Sequence, residues 1–271
     1  MGTTAQKLNK ILETKEAIRT AINNKGGTLT TTDTFASYPT AIDSLPSGGG
    51  GSLKTLLDAT KSAYYLFNEY KGTSVNDLIS FSDTSEVTNM SYMFNNCKNL
   101  TTIPQLDTSK VTTMSNMFRG CYHLTTIPQL DTSNVKEMSY MCYDCHNLTT
   151  ISLYTSKVTT MSLMFYNCYI LKTIDITHMN ITKSYNISSF ASGCYSLTKL
   201  IIRNMPTIPS INTNSFNNCY HFTGTTDATY NPQGLKDGRI YVPDDKVELL
   251  KVATNWSVYA DIIVPLSTLV E

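Results

Sequence analysis

Charge is scarce in this chain: Asp, Glu, Lys and Arg account for 15% of its 271 residues, and 21 acidic side chains balance 21 basic ones. With no net charge and no block of like charge, nothing is present to track a phosphate backbone, and nucleic acid is excluded as the expected partner. Long apolar runs are missing as well. No uncharged stretch reaches membrane-spanning length and the opening MGTTAQKLNK has no apolar signal core, so neither membrane insertion nor export by a cleaved signal is expected. Gly2 does not make a myristoylation motif, because Gln6 stands where that motif wants Ser or Thr. G-x-S-x-G, H-E-x-x-H and glycine-rich phosphate loops are absent from the sequence. Its histidines, His123, His146, His178 and His221, share no spacing with paired carboxylates, and the expectation is a protein that is not an enzyme and uses no cofactor.

The place of charge is taken by Thr, Ser, Asn and Tyr, arranged in a repeat. Cys97, Cys121, Cys145, Cys168, Cys194 and Cys219 are spaced by 24, 24, 23, 26 and 25 residues. Three residues after each stands Leu100, Leu124, Leu148, Leu171, Leu197 or Phe222, and six after stand Ile103, Ile127, Ile151, Ile174 and Leu200, the series failing at Thr225. Seven residues before the cysteines stand Met90, Met114, Met138, Met161 and then Ile187, and four before stand Met93, Met117, Met141, Met164 and then Phe190. A unit this short cannot bury its own apolar face, so the copies are expected to stack, each covering the next. The C-x-x-L-x-x-I stretch reads as a short buried strand and the Asp-Thr-Ser corner at Asp107 and Asp131 as a turn, with M-S-x-M-F returning as one helical or 3₁₀ turn. The last two copies place Ser184, Asn212 and Ser215 at apolar positions, which leaves their paths open.

The ends read differently. Leu8, Ile11, Leu12, Ile18 and Ile22 form one helical stripe stopped by Gly26 and Gly27, and Ser47 to Ser52 is a glycine-rich linker. The boundaries expected are a helical attachment or oligomerisation segment at 1–46, the linker at 47–52, an N-terminal cap at 53–82, the repeats at 83–237 and a strand-helix cap at 238–271. Within that last cap, Ile240 to Val242 reads as a final strand, and Asp244 with Asp245 as the cap of a helix burying Val247, Leu250 and Trp256.

The tandem M-S-x-M-F-x-x-C-x-x-L-T-x-I with D-T-S-x-V resembles the BspA-type leucine-rich repeat of bacterial and phage surface proteins, over about residues 83 to 222. The resemblance implies an α+β fold, a right-handed leucine-rich-repeat-like solenoid of about six coils of 23–26 residues with parallel strands. The order KLNKILETKEAIRTAINNKG, TFASYPTAI and a glycine run resembles the start of structural tail proteins of bacteriophages, and 238–266 the end of repeat-bearing ones.

The repeated residues read as fold rather than chemistry. Six of seven cysteines are one position seen six times, with side chains that would run parallel and not face one another, and Cys142 replaces the Phe of its copy. Cys142, Cys145 and His146 form a lone C-x-x-C-H that lacks further ligands, so no metal is expected. The varied positions are the candidate binding rows: Tyr122, His123, His146, Tyr169, Tyr195 and Tyr220 just after the cysteines, Arg119, Tyr143 and Tyr166 two before, and Tyr92, Asn116 and Tyr140 five before. Tyr gives contact area at low entropic cost and Asn adaptable hydrogen bonds, which suits a glycan or a polar protein face. The function expected from the resemblance is a tail-fibre or receptor-binding protein on the outer surface of a phage particle, made in the host cytoplasm and joined to other virion proteins by its N-terminal segment. It would recognise a host-surface glycan or protein without catalysis, as a homo-oligomer with a trimer favoured. A virion decoration protein and a bacterial adhesin are the alternatives.

Overall fold

A computed structural model describes residues 57–58, 60–76, 78–178, 187–209, 211–231, 233–234 and 236–270, with residue 19. The expected attachment segment, apart from residue 19, and the glycine linker lie outside the described residues, as does Ser184. Along the repeats, backbone N–H groups alternate between two uses. Tyr92, Phe94 and Asn96 donate to the carbonyls of Ser115, Met117 and Arg119 in the following copy, whereas Met93, Asn95 and Cys97 donate back to Met90, Tyr92 and Phe94 in their own. The same alternation runs through Asn116, Phe118 and Gly120 and through Tyr140, Cys142 and Asp144. It joins the copies in series.

This stretch is not the helical turn its sequence invites. The first five cysteine-bearing copies each make two successive turns whose third residue has positive φ, among them Tyr92 (φ 60) and Asn96 (φ 57), Tyr140 (φ 60) and Asp144 (φ 59), and Leu163 (φ 52) and Asn167 (φ 58), whereas the last keeps only Asn218 (φ 59). A left-handed third residue is what a type II turn requires, and two of them let the chain advance while every second amide faces the next copy.

The interior follows the ladder residues. Met90, Met114, Met138 and Met161 are fully buried, as are all six repeat cysteines and Phe94, Phe118 and Phe165. Phe67, Phe94 and Phe118 stack with centroids 5.5 and 5.6 Å apart. The cysteines are free thiols with a further task. Cys97, Cys121, Cys145, Cys168, Cys194 and Cys219 donate to the carbonyls of Phe67, Phe94, Phe118, Cys142, Phe165 and Ala191, one copy back, at 2.9–3.2 Å. Each of these carbonyls lies where water cannot reach, and the thiol is a small apolar side chain with a weak donor that serves its second lone pair. At the polar ladder position of the last copy, the buried Ser215 donates to Ile187 in the same way.

A seventh copy precedes the six counted from cysteines, inside the stretch read as an N-terminal cap. Ala63, Tyr65, Phe67 and Glu69 donate to Asn89, Ser91, Met93 and Asn95, in register with the others, with Tyr70 in the place of cysteine. We number the copies one to seven from here.

The strands lie just past each leucine. β1 (Thr150–Leu153), β2 (Thr173–Ile176), β3 (Lys199–Ile202), β4 (Arg239–Val242) and β5 (Ile263–Pro265) form one open parallel sheet in chain order, with Ile151, Ile174 and Leu200 in register. A short helix α1 (Tyr220–Thr223) ends the seventh copy and α2 (Val247–Val252) lies between β4 and β5. Copies two and three form no regular strand at Ile103 and Ile127. Pro104 and Pro128 follow those residues and have no N–H to offer a parallel neighbour. Past the strands, Thr84, Thr108 and Thr132 of the Asp-Thr-Ser corners and Thr155 of the Tyr-Thr-Ser corner make a buried row. Thr84 accepts from the Asp107 N–H, Thr132 both accepts from and donates to Tyr154, and Thr155 does the same with His178.

The C-terminal end departs from expectation in two ways. β4 is not the last strand, because β5 adds beyond it. Asp244 does not cap the helix with its side chain; its carboxylate accepts from the Ser267 N–H, which ties the final turn Leu266–Thr268 to the 3₁₀ turn Asp244–Lys246. Val247, Leu250 and Trp256 are buried, and the indole N–H donates to Pro209 at 2.7 Å.

Candidate functional site

The varied positions gather into stacked rings. Just past the cysteines, Tyr122, His146, Tyr169, Tyr195 and Tyr220 form one uninterrupted pile with centroid spacings of 4.7, 4.3, 4.9 and 5.0 Å and interplanar angles of 14° or less. One residue per copy in equivalent backbone geometry gives this spacing, close to the separation of hydrogen-bonded strands. Lys98 caps the first ring at 5.5 Å, and Tyr230 leans against Tyr195 at 4.8 Å. Two residues before the cysteines, Arg119 lies 5.0 Å over Tyr143, which stacks on Tyr166 at 4.9 Å. The two piles are neighbours, since Tyr166 acts electrostatically on Tyr169 and Tyr195.

Stacking changes what the tyrosines can offer. Each ring face inside a pile is covered by the next ring, so the exposed parts are edges and phenol oxygens. Burial against neighbours, and then the surrounding carboxylate and phenols, push the Tyr143, Tyr169 and Tyr195 hydroxyls above their ordinary values, which keeps them neutral donors. His146 sits between Tyr122 and Tyr169 with its Nε2 3.8 Å from Asp144. Burial lowers its pKa below 6.5 against the opposing pull of Asp144, so at neutral pH it is an uncharged ring in the pile.

The two left-handed positions of each copy make an internal comparison. One before the cysteine, the residues are Asn96, Gly120, Asp144, Asn167, Gly193 and Asn218, the types that tolerate positive φ. Five before, the same backbone demand is met by Asn116 and Ser189 but also by Tyr92, Tyr140 and Leu163, and in the first copy by Tyr65 with Glu69 at the other position; for these bulkier residues it costs on the order of 1 kcal/mol each. The tyrosines kept there against the backbone's preference each contact a neighbouring side chain. Tyr65 stacks on Tyr92 at 4.6 Å, and Arg119 lies 5.7 Å over Tyr140.

Not every candidate reaches this surface. Asn116 belongs to the row five before the cysteine but is only 6% exposed, because its short side chain lies between the larger Tyr92 and Tyr140 at the same position of the adjacent copies. His123 is exposed but turned back, its Nδ1 bonded to the Lys98 carbonyl at 2.7 Å. Cys142 and Cys145 are fully buried while His146 is in the outer pile, so the C-x-x-C-H residues do not converge. Among the described residues no group of three or more His, Cys, Asp or Glu is placed to hold a metal. Tyr64, Tyr65 and Tyr230 extend the rings and were missed from the sequence. YYLFNEY signals the first two only once Tyr70 is accepted in the place of cysteine.

A family model described as "Mycoplasma protein of unknown function, DUF285" matches residues 61–173, 99–204 and 126–228. The chain belongs to this family. The three overlapping registers are what a repeated unit produces, and the DUF285 match begins at residue 61, where the first copy begins to pair. The DUF285 family is associated with BspA-like repeat surface proteins. No curated protein matches the chain.

Proposed function

We propose that the chain is a non-catalytic recognition protein of a phage particle, of tail-fibre or receptor-binding type. In this reading its copies form a right-handed leucine-rich-repeat solenoid that presents the ring piles to a host-surface glycan or protein. Residues 1–46 join it to other virion proteins, and the protein is a homo-oligomer, a trimer being favoured by the heptad-like stripe of Leu8, Ile11, Ile18 and Ile22. The observation that carries the recognition reading is the pile from Tyr122 to Tyr220, ordered rings that present a row of edges and phenol oxygens. Many weak contacts across identical subunits supply avidity without chemistry.

The test is binding of the labelled full chain to bacterial cells, compared with a variant carrying Tyr143→Ala, Tyr166→Ala and Tyr169→Ala. Loss of binding with an unchanged circular dichroism spectrum supports the reading. Unchanged binding, or binding only to other virion proteins, sinks it. A bacterial surface adhesin is the second reading, favoured by the family's description as Mycoplasma proteins. Localisation of the chain to a cell envelope, with no particle containing it, would decide for that.

A further inference from the structure

The threonine row is intact on both sides of copy two and broken within it. Thr84 and Thr132 each hold the neighbouring corner, whereas the Thr108 hydroxyl, in a residue 1% exposed, is buried with no partner. At this break a cleft of about 610 Å³ opens between the corners of copies two and three, and Thr108 lines it. Its other polar walls are Gln105 and Gln129, both exposed, and the carboxylates of Asp107 and Asp131, with Tyr154, 40% exposed, at one side. The corner turns draw on Oδ1 of each aspartate, for Ser109 and Ser133, and leave Oδ2 for a ligand. Hydrogen bonding to Ser133 lowers the Asp131 pKa, so that side chain stays an anionic acceptor. Gln105 reaches across to the Gln129 carbonyl at 2.6 Å, which spans the cleft and holds its mouth.

We propose that this cleft binds a neutral sugar, a segment of one to three residues of a glycan. A carboxylate accepts from two adjacent hydroxyls, a carboxamide donates and accepts, and an exposed phenol supports an apolar sugar face. No Lys or Arg lines the cleft, so its two carboxylates exclude acidic glycans. The volume is that of a small-ligand site. The corners of copies two and three lack the threonine bond, so no group of the protein competes with a ligand hydroxyl for the Thr108 side chain. The site is separate from the ring piles and does not depend on them.

The experiment is ¹H–¹⁵N NMR of the full chain titrated separately with maltotriose, chitotriose and mannotriose, with and without EDTA. The expected result is shifts confined to the amides of 105–109 and 129–133 for at least one sugar, with a Kd on the order of 1 mM, unaffected by EDTA. Asp131→Asn and Gln129→Ala weaken it about tenfold or more. Thr108→Val weakens it as well while leaving thermal stability unchanged or higher, an outcome that a purely structural threonine would not give. Absence of cleft shifts with all three sugars, shifts only at the Tyr143–Tyr166 pile, or shifts abolished by EDTA would each overturn the proposal. Tyr143→Ala with Tyr166→Ala leaves the cleft shifts in place, which separates this site's failure from that of the recognition face.

Discussion

Copies two and three close with TTIPQLDTS, at 101–109 and 125–133, whereas copy four closes with TTISLYTS at 149–156, one residue shorter and without proline. Inside, the two kinds are alike: Phe118 of copy three, Cys142 in its place in copy four and Phe165 of copy five are equally buried, and the thiol bonds of Cys121 and Cys145 are both 3.1 Å. The difference is confined to the edge. The amide-to-carbonyl bond two residues before the isoleucine is 3.5 Å between copies two and three and 3.4 Å between three and four, against 2.9 Å both between one and two and between four and five. A core of stacked rings therefore tolerates two finishes, one that zips into a sheet and one that leaves polar corners apart. A cleft needs the second.

The comparison can be broken at its common part first. Phe118→Ala and Phe165→Ala should each cost about 3–5 kcal/mol in chemical denaturation, because both empty the same buried position. A large disparity between them would show that the two halves do not share one core. The threonine row should separate the halves next. Thr132→Val removes both bonds to Tyr154 and should cost about 1–3 kcal/mol, whereas Thr108→Val should cost nothing, since its hydroxyl has no partner to lose. Replacing residues 128–131, Pro-Gln-Leu-Asp, by Ser-Leu-Tyr converts the corner of copy three to that of copy four. Amide exchange at Ile127 should then slow by about tenfold as the sheet extends, and the cleft should close.

Two smaller effects test the turns and the junction. Gly120→Ala should destabilise by about 1–2 kcal/mol, since its φ of 71 suits glycine and a Cβ would meet Asn96 Oδ1 at 2.5 Å. Leu163→Gly, at a bulky left-handed residue, should be neutral or stabilising by about 1 kcal/mol in the same measurement. His146 stacks across the boundary onto Tyr122. Its folded pKa is depressed, so the unfolded chain takes the proton first, and the contribution present above pH 6.5 is lost as pH falls below it. The melting temperature of the parent should therefore fall more than that of His146→Gln between pH 7 and pH 5.

Periodicity made the interior legible. Met90, Met93, Cys97 and Leu100, named from spacing, are all fully buried. The corners were read correctly as Asp-Ser turns at Asp107 and Asp131. The paired left-handed turns were hidden because Tyr92, Tyr140 and Leu163 do not look like turn residues, although Asn96 and Gly120 nearby do. The thiol bonds were hidden because a buried cysteine looks like a small hydrophobe until its neighbour's carbonyl is located. The first copy escaped a search keyed on cysteine, since Tyr70 stands in its place. The fifth strand lies beyond a helix with no repeat to predict it. Among the candidate residues, a row could be read from spacing, but that its rings would cover one another's faces depends on the separation between copies.

Each repeat thiol reaches a carbonyl of the copy just behind it and no farther. A bond that consults only its nearest neighbour sets no total length. Duplicating or deleting one whole unit of the gene would therefore leave every remaining junction as it was, and the new copy's outer residues could then diverge while its inner ones held still. Such a protein can change what it touches, and over what span, by unequal recombination between its own copies, without passing through an unfolded intermediate sequence.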